Sequence, residues 1–241
     1  MDSFYQTFRN FKAVEFVLTN FFANAGNHAW IVSDAGEDFR PVLSQFGGRV
    51  TYQYAHKHTG MKYWRRVDKP LHWLSRLKWA ALQSSSSHMI LLEDDVWIRG
   101  SLTKIKPTSA IIGVRPGMWW NDMTKGCEDF INEYGCRKGQ HKYFGASGGC
   151  IFDRKAFLES HSFAVNILKE HWNTLRHLSM SEIHRGPIIG CPDVILTILF
   201  NLSGHEYHGN PEHTECRNDQ DWETNGKTIV HDYMLPAAVP S

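Results

Sequence analysis

An excess of charge of either sign is missing from this chain of 241 residues: 26 basic and 25 acidic side chains leave a formal net charge of +1. A general electrostatic attraction to nucleic acid is therefore not expected, and any function driven by charge must be local. Cysteine is scarce. Cys127, Cys136, Cys150, Cys191 and Cys216 make an odd number, and no two of them form a CxxC pair. That pattern argues against a disulfide framework and for a reducing compartment. There is no run of 18 apolar residues and no basic opening followed by an apolar stretch. Neither a membrane span nor a signal peptide is expected, which makes the chain as given a cytoplasmic protein or a domain of a longer one. A Gly-Lys-Ser/Thr phosphate loop and a GxGxxG dinucleotide fingerprint are both lacking. So are internal repeats and long linkers, so residues 1–241 are expected to form a single domain.

What is present suits a folded α/β domain. Hydrophobic residues make up 42% and charged residues 21%, and the length supports a full core. Helical spacing of Val14, Val17, Leu18, Phe21 and Phe22 predicts a helix over residues 12–22. A short buried strand over 28–33 follows, then a weak helix near 40–46 and a strand over 49–54. Residues 56–68 are polar, basic and aromatic without a period, as in a long loop near a site. Pro70 suits the first turn of a helix with Asp68 near its cap, and Leu71, Leu74, Leu77, Ala81 and Leu82 form the expected buried stripe. Residues 89–92 are a continuous apolar strand, and 111–114 and 150–152 read as later strands. Helices are expected over 163–178 and 193–202. Alternation of strands and helices over the first half predicts a mostly parallel sheet covered by helices on both faces.

Glu93, Asp94 and Asp95 stand at the end of the buried strand 89–92. Ligands of open α/β sheets bind beyond the carboxyl ends of the strands, so the position suits a site. Three adjacent carboxylates repel one another unless a cation or hydrogen-bond donors neutralise them. A hard divalent ion with oxygen ligands does so and can bridge the phosphates of a nucleotide diphosphate. The apolar Val96 and Ile98 that follow are not what a solvated acidic turn requires.

Further along lie Gly145, Gly148 and Gly149 ahead of an apolar strand, an acidic helix start at Pro192 and Asp193, and His231 after Ile229 and Val230. This ordered set resembles the GT-A glycosyltransferases, whose metal motif is often written DxD and in some members EDD. The likeness runs from about Phe4 to Tyr233. It implies a single Rossmann-like GT-A domain with a mostly parallel central sheet and a smaller mixed-sheet region. Residues of about 1–114 would form the nucleotide-binding half and about 115–241 the donor-sugar and acceptor half.

The resemblance also assigns roles. Asp95 would bind the metal directly, with Asp94 or Glu93 facing the ribose and His231 adding a metal or pyrophosphate contact. Thr7, Phe8 and Arg9 would lie beside the nucleotide base. Asp34, followed by Ala35 and Gly36, would accept the uracil imide hydrogen, although Asp and Gly also make plain turns. Gly148 and Gly149 would let backbone approach the donor sugar. Lys227 and the basic loop with Lys57, Lys62, Arg65 and Arg66 could meet the diphosphate. In inverting members an acidic helix start supplies the base that deprotonates the acceptor, which points to Asp193; many members have two acids there, and this chain has Pro192 and Asp193.

The expected activity is transfer of a sugar from a UDP-sugar to a hydroxyl of a glycan or glycoconjugate, with Mn²⁺ or Mg²⁺ as cofactor. The expected partners are the nucleotide sugar and the glycan acceptor, with no nucleic acid. A metal-dependent nucleotidyltransferase and a non-catalytic domain that binds nucleotide sugar or glycan are the alternatives. His205, His208, His213 and Cys216 are also potential zinc ligands, but their spacing matches no common zinc module. Donor sugar, acceptor, stereochemical course and oligomeric state are not encoded in any recognisable pattern.

Overall fold

A computed structural model describes residues 1–60, 66–114, 148–176, 203–205, 207–215 and 226–231, with single helical positions at 129, 133, 195, 196, 199 and 200. Its frame is a seven-stranded sheet in the order β3-β2-β1-β4-β7-β6-β8. These strands are β1 (Asp2–Thr7), β2 (Ala29–Asp34), β3 (Val50–Ala55), β4 (His88–Leu92), β6 (Ile111–Gly113), β7 (Ile151–Asp153) and β8 (Tyr207–Gly209). β3, β2, β1 and β4 are mutually parallel, β7 runs antiparallel between β4 and β6, and β8 is parallel to β6. A second sheet places β10 (Ile229–His231) between β5 (Trp97–Ile98) and β9 (His213–Glu215). The expected mostly parallel sheet with a smaller mixed one is what the chain forms.

Both faces of the large sheet are covered, which is why β2 and β4 carry continuous apolar runs rather than an alternation. Phe4, Val32, Met89, Leu91 and Phe152 point to one core layer, with Trp73, Leu74 and Leu77 of α3 (Asp68–Gln83) and Phe157 and Leu168 of α4 (Arg154–Leu175). Tyr5, Ile31, Ile90, Leu92 and Ile151 point to the other, with Val14, Val17, Leu18 and Phe21 of α1 (Phe11–Ala23). β1 has no sequence period for the same reason, since all six of its residues are buried.

Several element boundaries depart from the periodicity. The helix near residue 40 is only α2 (Arg40–Leu43), continued by a 3-10 turn over Ser44–Arg49. Asp68 lies inside the first turn of α3 rather than capping it, and it pairs with Arg66 at 3.0 Å. The buried stripe of α3 is centred on Trp73, Leu77 and Ala80, which leaves Leu82 58% exposed. α4 begins nine residues earlier than expected, because the Asp153 carboxylate at the end of β7 accepts from Ala156 N at 2.7 Å and starts the helix with no loop. Its buried stripe includes Ser160 and His161, which disguises it in sequence. Among the described residues no helix is long and apolar enough to cross a membrane.

Candidate metal and nucleotide site

The acidic triplet forms a tight turn at the carboxyl end of β4. Val96 N donates to Glu93 O at 3.2 Å, closing a four-residue turn with Asp94 and Asp95 at its corners. The chain then re-enters as β5, which pairs antiparallel with β10 in the register Trp97 to Val230 and Ile98 to Ile229. That pairing carries the next residue of β10, His231, back over the turn. His231 Nε2 lies 3.4 Å from Glu93 Oε2 and 3.6 Å from Asp95 Oδ1. Glu93, Asp95 and His231 each offer a ligand atom, all within 4.8 Å of one another, and form the one such group among the described residues. Two carboxylates and an imidazole in this arrangement are a donor set for a divalent cation, and their mutual charge is relieved by one. The residues present therefore fit the implied metal.

Asp94 turns the other way. Its Oδ1 accepts the Tyr5 hydroxyl of β1 at 2.7 Å, and the Thr7 hydroxyl faces the same carboxylate without completing a bond. Burial, with a smaller push from Glu93, raises the Asp94 carboxyl above its ordinary range, while the Tyr5 bond holds it down. Burial and then Asp94 raise the Tyr5 phenol well above its usual value, so it stays a donor. Asp94 thus anchors the turn to the sheet, and Glu93 lies with Asp95 and His231.

The glycine pair closes the site from the other side. Gly149 N donates to Leu91 O at 2.7 Å and Leu91 N to Cys150 O at 2.9 Å, extending the β4–β7 ladder to the turn. A Cβ on Gly148 would stand 2.7 Å from Val96 Cγ2 and 3.0 Å from both Glu93 Oε2 and His231 Cδ2. Gly149 has φ +87, and a Cβ there would meet Ile229 Cγ2 at 2.6 Å and His213 Nε2 at 2.9 Å. His213 of β9 is only 3% exposed. Burial, then neighbouring His231, push its ring down to about 3, so it is neutral.

At the ends of β1 and β2 the chain builds a second polar centre. Asp34 is 2% exposed and meets Arg76 Nη1 at 2.6 Å, Thr59 N at 2.8 Å, Thr59 Oγ1 at 2.9 Å, Gly60 N at 3.1 Å and His58 Nδ1 at 3.0 Å. Burial alone would raise its carboxyl, but the Arg76 and Thr59 hydrogen bonds and the Arg76 charge bring it below the ordinary value. A carboxylate accepts about four hydrogen bonds, so a base N–H could bind Asp34 only by displacing one of these donors. Arg76 also reaches Gln6 Oε1 at 2.9 Å and the Lys57 carbonyl at 2.5 Å, and it clamps the 57–60 segment to the sheet. Phe8 stacks on His58 with ring centroids 4.6 Å apart, and the Arg9 guanidinium lies 4.5 Å from the Phe8 centroid. Gly36 is required here, because a Cβ would overlap the Phe8 carbonyl at 1.6 Å.

Thr7, Phe8, Arg9 and Asp34 thus gather at the β1–β2 ends, and Glu93, Asp95, Gly148 and His231 gather at the β4 end, with Tyr5 and Asp94 between them. Lys227 donates to the Pro211 carbonyl at 2.6 Å beside the start of β10. Asp193, Cys216, Lys62 and Arg65 lie outside the described residues. His205 packs edge-on against Phe200 and His208 bonds Thr108 at 3.1 Å, so neither joins His213 in a metal group. Arg76 and Tyr5 were missed by sequence reasoning, and His213 was weighed only as a zinc ligand. Arg76 had a signal, a charge set between Trp73 and Ala80 on the apolar stripe of α3.

No protein-family model matches the chain, and no curated protein matches it in sequence. Solved structures do match. The galactosyltransferase LgtC, in complex with donor and acceptor sugar analogs, superposes with a TM-score of 0.54 at 12% identity, over 98% of this chain and 88% of that one. An active-site mutant of LgtC gives a TM-score of 0.57 at the same identity and coverage. The fold is GT-A. The bifunctional glycosyltransferase WbbM in its apo form gives 0.54 at 10% identity, over 96% of this chain and 45% of that longer one. At such identities the likeness speaks for the GT-A architecture, and chemistry must be argued from the site.

Proposed function

We propose that this GT-A protein is a divalent-metal-dependent glycosyltransferase that moves a sugar from a UDP-sugar to a hydroxyl of a glycan or glycoconjugate. The observation that carries this reading is the convergence of Glu93, Asp95 and His231 at the carboxyl end of β4, with Gly148 backbone against them. In an open α/β sheet this is where a ligand sits. Glu93, Asp95 and His231 would hold Mn²⁺ or Mg²⁺, which when bound neutralises charge developing on the departing diphosphate.

The remaining steps belong to the chain's own residues. Asp94, tied to Tyr5, fixes the turn so that Glu93 and Asp95 need not reorganise on binding. Phe8, Arg9 and the 57–60 segment held by Asp34 and Arg76 would shape the uridine end of the site, with Asp34 organising that pocket. Gly148 and Gly149 let the turn pack against Val96, Glu93, His231 and His213, which would hold its backbone beside the donor sugar. If the reaction inverts, Asp193 is the proposed base that removes the acceptor hydroxyl proton as the new bond forms.

A panel of UDP-sugars tested for UDP release, with and without chelator, is the decisive experiment. Metal-dependent release of UDP in the presence of a glycan acceptor is expected. Release of pyrophosphate would move the protein to the nucleotidyltransferases, and binding without turnover would make it a carrier. Calorimetry with UDP and GDP tests the base, and stronger binding of GDP would overturn the uridine assignment.

A further inference from the structure

His213 serves no purpose in the arrangement described so far, and its position is unusual. The ring is 3% exposed, and neither nitrogen completes a hydrogen bond among the described residues. Leaving a buried polar group unsatisfied costs free energy, so an apolar residue would serve packing better. The polar group its ring faces is the Gly148 backbone.

Strand register explains what lies around it. In the small sheet His213 is paired with Ile229, and His231 is two residues further along the same strand. Side chains two apart in a strand share a face, so His213 and His231 project from the same side of the sheet, one strand apart. The Gly148–Gly149 turn lies against that side. Gly149 has His213 Nε2 and Ile229 Cγ2 where a Cβ would be, and Gly148 has Glu93 Oε2 and His231 Cδ2. One contiguous path therefore runs from the His213 ring through the glycine turn to two of the three candidate ligands.

We propose that His213 is a positioning residue of the metal centre, its ring N–H directed at the Gly148 carbonyl to keep the glycine turn closed against Glu93 and His231. It touches neither metal nor sugar. This inference rests on the metal-dependent reading of the site for its functional consequence. The contact between ring and turn stands independently of it.

The test compares the parent with His213→Leu, which keeps apolar bulk and removes both nitrogens, and with His213→Asn and His213→Gln, which place an amide N–H near the two ring nitrogen positions. Mn²⁺ alone is titrated into each protein by electron paramagnetic resonance, amide exchange at Gly149 is followed, and kcat and KM are measured with the UDP-sugar the parent accepts. Loss of a group that orients a ligand from behind typically costs 10–100-fold in metal affinity. His213→Leu is expected to bind Mn²⁺ about 10-fold more weakly or worse, to exchange the Gly149 amide faster, and to lose kcat more than acceptor KM. His213→Asn or His213→Gln should recover part of each effect. A His213→Leu protein that is folded and binds Mn²⁺ as tightly as the parent overturns the proposal, as does equal loss in all three variants. If the parent itself takes no Mn²⁺, the metal-dependent reading fails instead, and Gly149 exchange decides the His213 contact: unchanged exchange in His213→Leu overturns it, and faster exchange supports it.

Discussion

Glu93 and Asp95 face one partner, His231, while Asp94 has another, Tyr5, and the difference predicts different losses. Asp95 shares His231 with Glu93, at 3.6 Å and 3.4 Å. Asp95→Ala should abolish Mn²⁺ binding while leaving the urea midpoint unchanged or slightly higher, because clustered like charge is relieved. Undiminished Mn²⁺ binding in Asp95→Ala, measured by calorimetry, would remove the turn from the metal site. Asp34 behaves oppositely. It is buried with Arg76 as its counter-charge, and breaking a buried pair from one side costs about 3–5 kcal/mol. Arg76→Leu should therefore lose about 3 kcal/mol of stability, the lower end, since Thr59 and Gly60 still donate to Asp34. A loss under about 1 kcal/mol by urea titration would mean that Asp34 is neutralised elsewhere. The triplet was legible in sequence because three adjacent acids after an apolar strand are rare without a purpose. The saturation of Asp34 was not, since Thr59, Gly60 and Arg76 come from a loop and a helix that no local pattern joins to β2.

At the scale of elements, the glycine turn and the α3–α4 contact carry the sharpest expectations. Gly149→Ala would place a Cβ on Ile229 and His213 at a positive φ. Overpacking typically costs about 1–3 kcal/mol, and the left-handed backbone about 1–2 more. The variant should be destabilised by at least 2 kcal/mol and bind Mn²⁺ more weakly, and a thermal melt with parallel titration checks both. On α4, His161 is 8% exposed, facing the Leu74 carbonyl, Lys78 and Phe157. Burial, then Lys78, lower its ring from 6.5 to about 4. Because the folded value lies below the unfolded one, protons favour the unfolded chain, and stability is full above about pH 6.5 and falls as pH drops toward 4. The loss is up to about 3 kcal/mol. Urea midpoints from pH 7 to 4.5 should fall in the parent and stay flatter in His161→Leu; equal slopes would show that His161 does not titrate in this interface. Periodicity located α1 and β4 well, but it displaced the start of α4, because a polar Ser160 and His161 interrupt the stripe and Asp153 starts the helix without a loop.

For the molecule as a whole, the strand-helix alternation gave away the parallel half of the sheet, where β3, β2, β1 and β4 follow local units. In the other half, 111–114 and 150–152 read as strands and are β6 and β7, but the reversed direction of β7 escaped sequence reading, and β5, β8 and β9 are two or three residues long, too short for a period to show. Metal binding should report on the assembled whole. A ligand at 100 times its dissociation constant stabilises by about 2.7 kcal/mol, which for a chain of this size raises Tm by about 5–10 °C. Mn²⁺ should produce such a rise in the parent and none in Asp95→Ala, and an equal rise in both would place the ion elsewhere. The site's histidine also has a place in time. His231 is synthesised 136 residues after Asp95, and at about 5–20 residues per second a ribosome takes roughly 7–27 seconds to cover that distance. Throughout that interval the nascent chain carries the acidic corner without its imidazole. The candidate cation site is therefore completed only after the seven strands of the large sheet have been made, and a chain interrupted before β10 would hold those strands yet lack one of the three candidate ligands.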